Sequence, residues 1–329
     1  MRRLWIKLTA VSMAACLVPL LANAQNNAKT PVWPNKVVRI IVGFPAGSSP
    51  DLTARTLADP LSKALGQPVI VENKVGAGGN IGADYVAKAT DNHTFGLMIN
   101  GNMTTAKLLN PSLSYDPLKD LLPVSLVGVS PLVLMAQKSA PGTNAQEFLA
   151  AAKKAGDSWS YGSPGIGTIG HVGMELLQNT TGAKAVHVPY PGYAQVASAM
   201  IGNQLQLSML PPALAQAQVK SDKLRAIGVT SSGRSPLAPE LPSMAEAGVP
   251  NFNLEIWNAV AAPKSTPPAI IAKLATLVSD IARSPEIRQQ LFAQGWQVVG
   301  SSPEGLAKRI QADTLVFGGV IKKLGVSNQ

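Results

Sequence analysis

Residues 37–42 are apolar and mostly β-branched apart from Arg39, and Gly43-Phe44-Pro45-Ala46-Gly47 follows them at once. The run has the composition of a buried strand. The breakers close it with a tight loop. Ser48 or Ser49 then offers a side-chain oxygen to cap a helix, and Pro50 suits the first helical position, where its missing N–H would go unpaired anyway. Strand, loop and helix start in that order leave free main-chain N–H groups above the strand end, and the helix dipole favours an anion there. Such a unit commits the chain to an α/β fold and makes an anionic ligand the question to ask of the rest.

The rhythm continues. Leu52, Leu57, Leu61 and Leu65 give the first helix an apolar stripe, Pro60 is expected to distort it, and Gly66-Gln67-Pro68 to stop it. Residues 69–71 read as a second strand, 72–80 as a Gly-rich loop, 81–89 as a helix and 94–99 as a third strand. Residues 100–105, with Asn100, read as a polar loop leading to a helix start at Thr104 or Thr105. This predicts a domain with a largely parallel sheet. Residues 122–136 read as strands leaving it, and Thr143 as the cap of a helix over 144–155.

The opening pattern then returns: a strand at 159–162, the loop Ser163-Pro164-Gly165-Ile166-Gly167, and Thr168 as the cap of a helix to 177. Strands at 185–188, 205–210 and 224–229 alternate with helices at 194–201 and 212–219, making a second α/β domain. Residues 242–248 can hold a helical turn or two. Residues 254–262, carrying Trp257, read as a returning strand, and 267–283, 284–294 and 303–324 as amphipathic helices, the second capped by Ser284 before Pro285.

The first 24 residues read as a secretory signal peptide: a basic start with Arg2, Arg3 and Lys7, a short apolar run, and a small-residue cleavage site at Ala24. Cleavage removes Cys16, the one cysteine, so disulfides, cysteine–metal sites and thiol nucleophiles are excluded. Net charge falls from +10 to +7, with basic residues scattered singly and little aromatic interleaving, which excludes nucleic acid as a partner. No metal or cofactor is expected, and a monomer is.

Chemical motifs are scarce. In Gly76-Ala77-Gly78-Gly79-Asn80-Ile81-Gly82 the third glycine comes one residue late for a dinucleotide fingerprint, and the run follows the second strand rather than the first. No G-x-S-x-G occurs around Ser48 or Ser163. His93, His171 and His187 lack metal-ligand spacing; a hydrolase reading would pair Ser163 with His171. Asp51 reads as an organiser of its loop. What remains is two helix starts from two domains, each behind a Gly/Pro/Ser loop without a basic residue, able to hold an acid from two sides through neutral donors.

At these residues the chain resembles the Bug (Bordetella uptake gene) family, the substrate-binding subunits of tripartite tricarboxylate transporters. The matching blocks run the length of the mature chain. They include Phe44 to Asp51 with Arg55, Leu65 to Asn73, Gly76 to Gly79, Tyr161 to Thr168 with His171, His187 to Gly192, Arg225 to Ser231, Leu241 to Gly248, and Trp257 before Ala262-Pro263.

The resemblance implies a type II periplasmic-binding-protein fold, with two α/β lobes closing on a small di-, tri- or aromatic carboxylate. Lobe 1 would comprise 25–130 and 255–329, and lobe 2 131–254. It implies a ligand site at Phe44, Pro45, Ala46, Gly47, Ser48, Ser49 and Asp51, at Asn100, and at Ser163, Pro164, Gly165, Ile166, Gly167 and Thr168. It further implies periplasmic location, no catalysis, and delivery to membrane permease subunits, or ligand presentation to a membrane sensor. Two departures stand out. Ser48 replaces a usual glycine, and Tyr193 a usual small residue; with Phe44 and Tyr190, Tyr193 is expected to give the pocket aromatic character.

Overall fold

β1 (Val38–Val42) is the hub of a six-stranded sheet, and its β-branched side chains are buried on both faces. The computed structural model describes residues 33–324; the leader, Cys16 and the Ala24 cleavage site lie outside the described residues. β2 (Val69–Asn73) and β3 (Thr94–Ile99) pair with β1 in parallel. β10 (Glu255–Pro263) returns antiparallel to β3 and to β4 (Leu121–Pro131), and β11 (Gln297–Val298) closes the edge in the order β11-β4-β10-β3-β1-β2. The sheet is therefore half antiparallel, because its second half is built by strands that leave and re-enter, not by βα repeats.

A five-stranded sheet has the order β7-β6-β8-β5-β9, from β5 (Val133–Gln137), β6 (Ser160–Ser163), β7 (Val186–Pro189), β8 (Leu207–Leu210) and β9 (Leu224–Val229). β6 is parallel to β7 and β8, and β5 antiparallel to β8 and β9. Each sheet forms the centre of one α/β lobe.

The long helices are α1 (Ser49–Leu65), α2 (Asn80–Ala87), α6 (Ala145–Ala155), α7 (Ile169–Thr181), α8 (Tyr193–Ile201), α9 (Pro212–Lys220), α10 (Pro268–Arg283), α11 (Pro285–Ala293) and α12 (Pro303–Leu324). Between β3 and β4 lie three single turns, α3 (Asn100–Met103), α4 (Ala106–Leu109) and α5 (Pro117–Asp120), so the stretch read as a polar loop is helical from Asn100. Residues 242–248 are turns, not helix. Asn144, not Thr143, caps α6 by accepting the Glu147 N–H; Thr143 instead donates to the Glu147 carboxylate. Gly66 ends α1 in the left-handed conformation, and Pro60 lies inside that helix.

The chain crosses between the sheets at Leu132 and again between Thr230 and Leu254, and Thr230 ties the crossings together. Its hydroxyl accepts the Leu132 N–H at 2.8 Å and donates to the Leu254 carbonyl at 2.7 Å. Trp257 on β10 is fully buried and donates its indole N–H to Asp313 at 2.6 Å, which fastens α12 to the first sheet.

Candidate functional site: a cavity faced by four helix starts

A cavity of about 400 Å³ lies between the two sheets. Its walls include the first residues, or the capping residues, of four helices: Ser48, Ser49 and Pro50 of α1, Thr168 and Ile169 of α7, Gly192, Tyr193 and Ala194 of α8, and Pro211, Ala213 and Leu214 of α9. The first turn of each helix leaves main-chain N–H groups without intrahelical acceptors. Those of Ser49, Asp51, Ile169 and Gly170 have no partner among the described residues. Four dipoles with positive ends at one cavity favour an anion. Among the described residues, no Lys, Arg, Asp or Glu lines it.

The two serines do not cap α1. Ser48 occupies the N-cap position with extended backbone but makes no side-chain cap bond, and Ser48 Oγ and Ser49 Oγ are buried without partners. The cap reading fails because these hydroxyls are not turned back onto N–H groups of their own helix. Thr168 likewise occupies an N-cap position without capping; its hydroxyl donates to the Gly165 carbonyl at 2.8 Å and shapes the loop instead. Buried, unpaired hydroxyls at a helix start are what a bound anion would satisfy.

Of the residues singled out in the sequence, Phe44, Gly47, Ser48, Ser49, Asn100, Pro164, Thr168 and Tyr193 line this cavity. Pro45, Ala46, Asp51, Ser163, Gly165, Ile166, Gly167 and Tyr190 do not. Ala46 is exposed, and Pro45 accepts the Ser48 N–H. Gly165, Ile166 and Gly167 are taken up by contact between the lobes: a β-carbon on Gly78 would lie 2.9 Å from the Ile166 carbonyl oxygen, and the Gly167 carbonyl accepts the Thr105 hydroxyl at 2.9 Å. Tyr190 faces a separate recess of about 540 Å³ shared with Gly76 to Asn80. Tyr193 and Phe44 therefore supply aromatic surface without it, joined by Trp296. Burial raises the Tyr193 phenol well above its ordinary pKa and keeps it a neutral donor.

Asp51 is fully buried behind the loop and organises it. Its carboxylate accepts the Gly47 N–H at 2.8 Å, Asn73 Nδ2 at 2.8 Å, and Arg55 through both Nε and Nη2. Burial alone would raise its pKa, but hydrogen bonds from Arg55, Asn73 and Gly47 outweigh it and hold the carboxyl below its ordinary value. Asp51→Ala is expected to cost about 2 kcal/mol of stability through the lost charged hydrogen bonds. Urea unfolding would show this as a lower midpoint at unchanged slope.

Ser163 is fully buried beneath the second loop, where it meets His187, not His171, with Oγ and Nε2 2.7 Å apart. Its hydroxyl also reaches the Gly165 carbonyl at 3.1 Å, and His171 Nδ1 accepts the Gly167 N–H at 3.3 Å. The cluster holds the loop rather than facing the cavity.

Sequence reading missed the far wall: Ile256 and Asn258 on β10, and Ala293, Gln294 and Trp296 at the α11–β11 corner. The usable signal was Asn258, a polar residue inside an otherwise apolar strand, where burial demands a partner.

The family model for the tripartite tricarboxylate transporter family receptor matches residues 53–326. The chain belongs to that family. Among its relatives is BugT of Bordetella pertussis, 34% identical over 295 residues, covering 89% of this chain and 90% of that protein. Solved receptors of similar structure include a protein from R. palustris with adipate, at TM-score 0.86 and 31% identity over 90% of this chain and 99% of that one. MatC from Rhodopseudomonas palustris with bound malate gives TM-score 0.83 and 30% identity, over 88% of this chain and all of that one. The two α/β lobes of this receptor are those of the family's periplasmic binding proteins.

Proposed function

We propose that this receptor works in the periplasm, closes its lobes on a small organic carboxylate, and delivers it to the membrane subunits of a tripartite tricarboxylate-type transporter without catalysing a reaction. The observation that carries this reading is the cavity where four helix starts and two unpartnered serine hydroxyls converge with no basic side chain. The adipate and malate held by related receptors support it. Lobe 1 would comprise 25–130 and 255–329, lobe 2 131–254. Export by a leader cleaved near Ala24 and a monomeric state belong to the same reading. The Ser163–His187 pair does not favour a hydrolase. It lies outside the cavity, its hydroxyl is held between Gly165 and His187 within the loop, and burial holds the histidine at a pKa of about 3, helped by neighbouring His171.

The test is a thermal-shift screen against aliphatic and aromatic mono- and dicarboxylates, followed by calorimetry. A true ligand at a hundredfold excess over its dissociation constant should add about 2.7 kcal/mol of stability. Replacing Ser48 and Ser49 together by Ala should weaken binding by about 2 kcal/mol, roughly thirtyfold. No shift with any carboxylate, or an unweakened double variant, would remove the basis of the reading.

A further inference from the structure

Away from the two serines, four polar atoms on residues lining the cavity's lobe-1 side have no hydrogen-bond partner among the described residues: Asn100 Oδ1, Asn258 Oδ1, Gln294 Oε1 and the Trp296 indole N–H. Asn100, Asn258 and Trp296 are only 0%, 1% and 2% exposed. Buried polar atoms are almost always paired, because leaving one unpaired forfeits its hydration with no return. Four around one cavity are therefore a set that a ligand would satisfy.

The polarity of this wall is fixed by its surroundings. Asn100 Nδ2 donates at 3.0 Å to the Glu255 carbonyl, which can only accept, so the amide oxygen is the free end. The Thr53 hydroxyl spends its proton on the Ser49 carbonyl at 3.0 Å, so its oxygen accepts from Asn258 Nδ2, also at 3.0 Å. Neither amide can turn over without losing that bond. Gln294 has Nε2 2.8 Å from Thr56 Oγ1, a hydroxyl that accepts or donates, so this amide can present either end while the two asparagines cannot. The wall thus offers amide oxygens in excess and one N–H.

A second carboxylate placed here would meet carbonyl oxygens. An ammonium would lie among four positive helix ends with no acidic residue lining the cavity to compensate it. A neutral group that both donates and accepts matches the wall. Its N–H would go to the amide oxygens and its carbonyl to Trp296. Between the two ends the lining is apolar, with Phe44, Ile99, Leu214 and Ile256.

We propose that the ligand is a monocarboxylate whose far end carries a neutral hydrogen-bonding group, best matched by a carboxamide, seated against Asn100, Asn258, Gln294 and Trp296. This rests on reading the site as an acid receptor. The probes are three acids of one chain length: hexanoate, adipate and the monoamide of adipic acid. By calorimetry the monoamide should bind about tenfold more tightly than either of the others. Trp296→Phe, which keeps an aromatic ring and removes the N–H, should bring the ratio of monoamide to hexanoate affinity towards one. Adipate binding tightest, or hexanoate matching the monoamide, would overturn the far-end assignment while leaving the acid-receptor reading intact. Failure of all three acids, together with the wider carboxylate panel, would overturn both.

Discussion

Gly101→Ala should weaken ligand binding by roughly five- to 150-fold, the equivalent of about 1–3 kcal/mol of overpacking. Gly101 sits in α3 of lobe 1, and a β-carbon there would lie 2.8 Å from the Gly167 carbonyl oxygen of lobe 2. That carbonyl already accepts the Thr105 hydroxyl, so it has little freedom to retreat. Gly101 does not need a left-handed backbone, so the added methyl costs lobe 1 little on its own account. Its effect falls on the approach of the two lobes. Calorimetry should show the loss of affinity, and small-angle scattering with saturating ligand should show a larger radius of gyration than wild type. Unchanged affinity and unchanged scattering would mean that the loaded lobes meet through other surfaces.

Acidification should destabilise the protein well before its carboxylates titrate. His171 and His187 lie with ring centroids 4.3 Å apart, tilted by 32°, and Tyr161 stacks on His187 at 4.8 Å. Burial lowers His171 to about 4; burial, and then the neighbouring His171, lower His187 to about 3. The unfolded chain binds these protons near pH 6.5, so the folded state is favoured fully above that value. Its advantage then falls as pH drops towards 4 for His171 and 3 for His187, by up to about 1.4 kcal/mol per pH unit for each histidine. The Tyr161 hydroxyl donates to the Glu175 carboxylate. Protonating His171 at Nδ1 would also remove the acceptor for the Gly167 N–H, so the second loop should loosen first. Melting temperatures between pH 7 and 4 test this: His187→Gln, which keeps a polar partner for Ser163 but does not titrate, should flatten the dependence. A variant as acid-sensitive as wild type would place the titration elsewhere. Asp51 acts in a different window. Its lowered pKa contributes stability above the unfolded carboxylate value near 3.9, lost as pH falls through the folded one.

Much of this molecule could be read from its residues in order. The β1–α1 and β6–α7 units were legible because local rules write them: a β-branched run, breakers and a proline in the first helical turn for one, a Gly/Pro loop ending at Thr168 for the other. Those rules misjudged the serines. A hydroxyl before a helix predicts a cap, but only tertiary structure decides whether it turns to its own helix or to a cavity. The α8 and α9 starts at the site were hidden because spatial convergence has no local signature. The far wall was harder still: Asn258 meets Thr53 across 205 residues of sequence, and Gln294 meets Thr56 across 238. The first sheet was legible in part: 254–262 read as a returning strand, but the sheet was expected to be largely parallel and β10 enters it antiparallel. β-α rhythm reports how strands are connected, and says nothing of the direction of a strand that returns from the far end of the chain.

The acid cradle proposed above consists chiefly of main chain, and that has an evolutionary consequence. A backbone N–H is present whatever the side chain, and short of proline a point substitution does not delete it. As long as the helices start where they do, descendants of this chain inherit the capacity to hold an acid. Point mutation then acts chiefly on the opposite wall, where Asn258, Gln294 and Trp296 are single, exchangeable side chains. Diversification into receptors for different acids can thus proceed one residue at a time without first losing the ability to bind any of them.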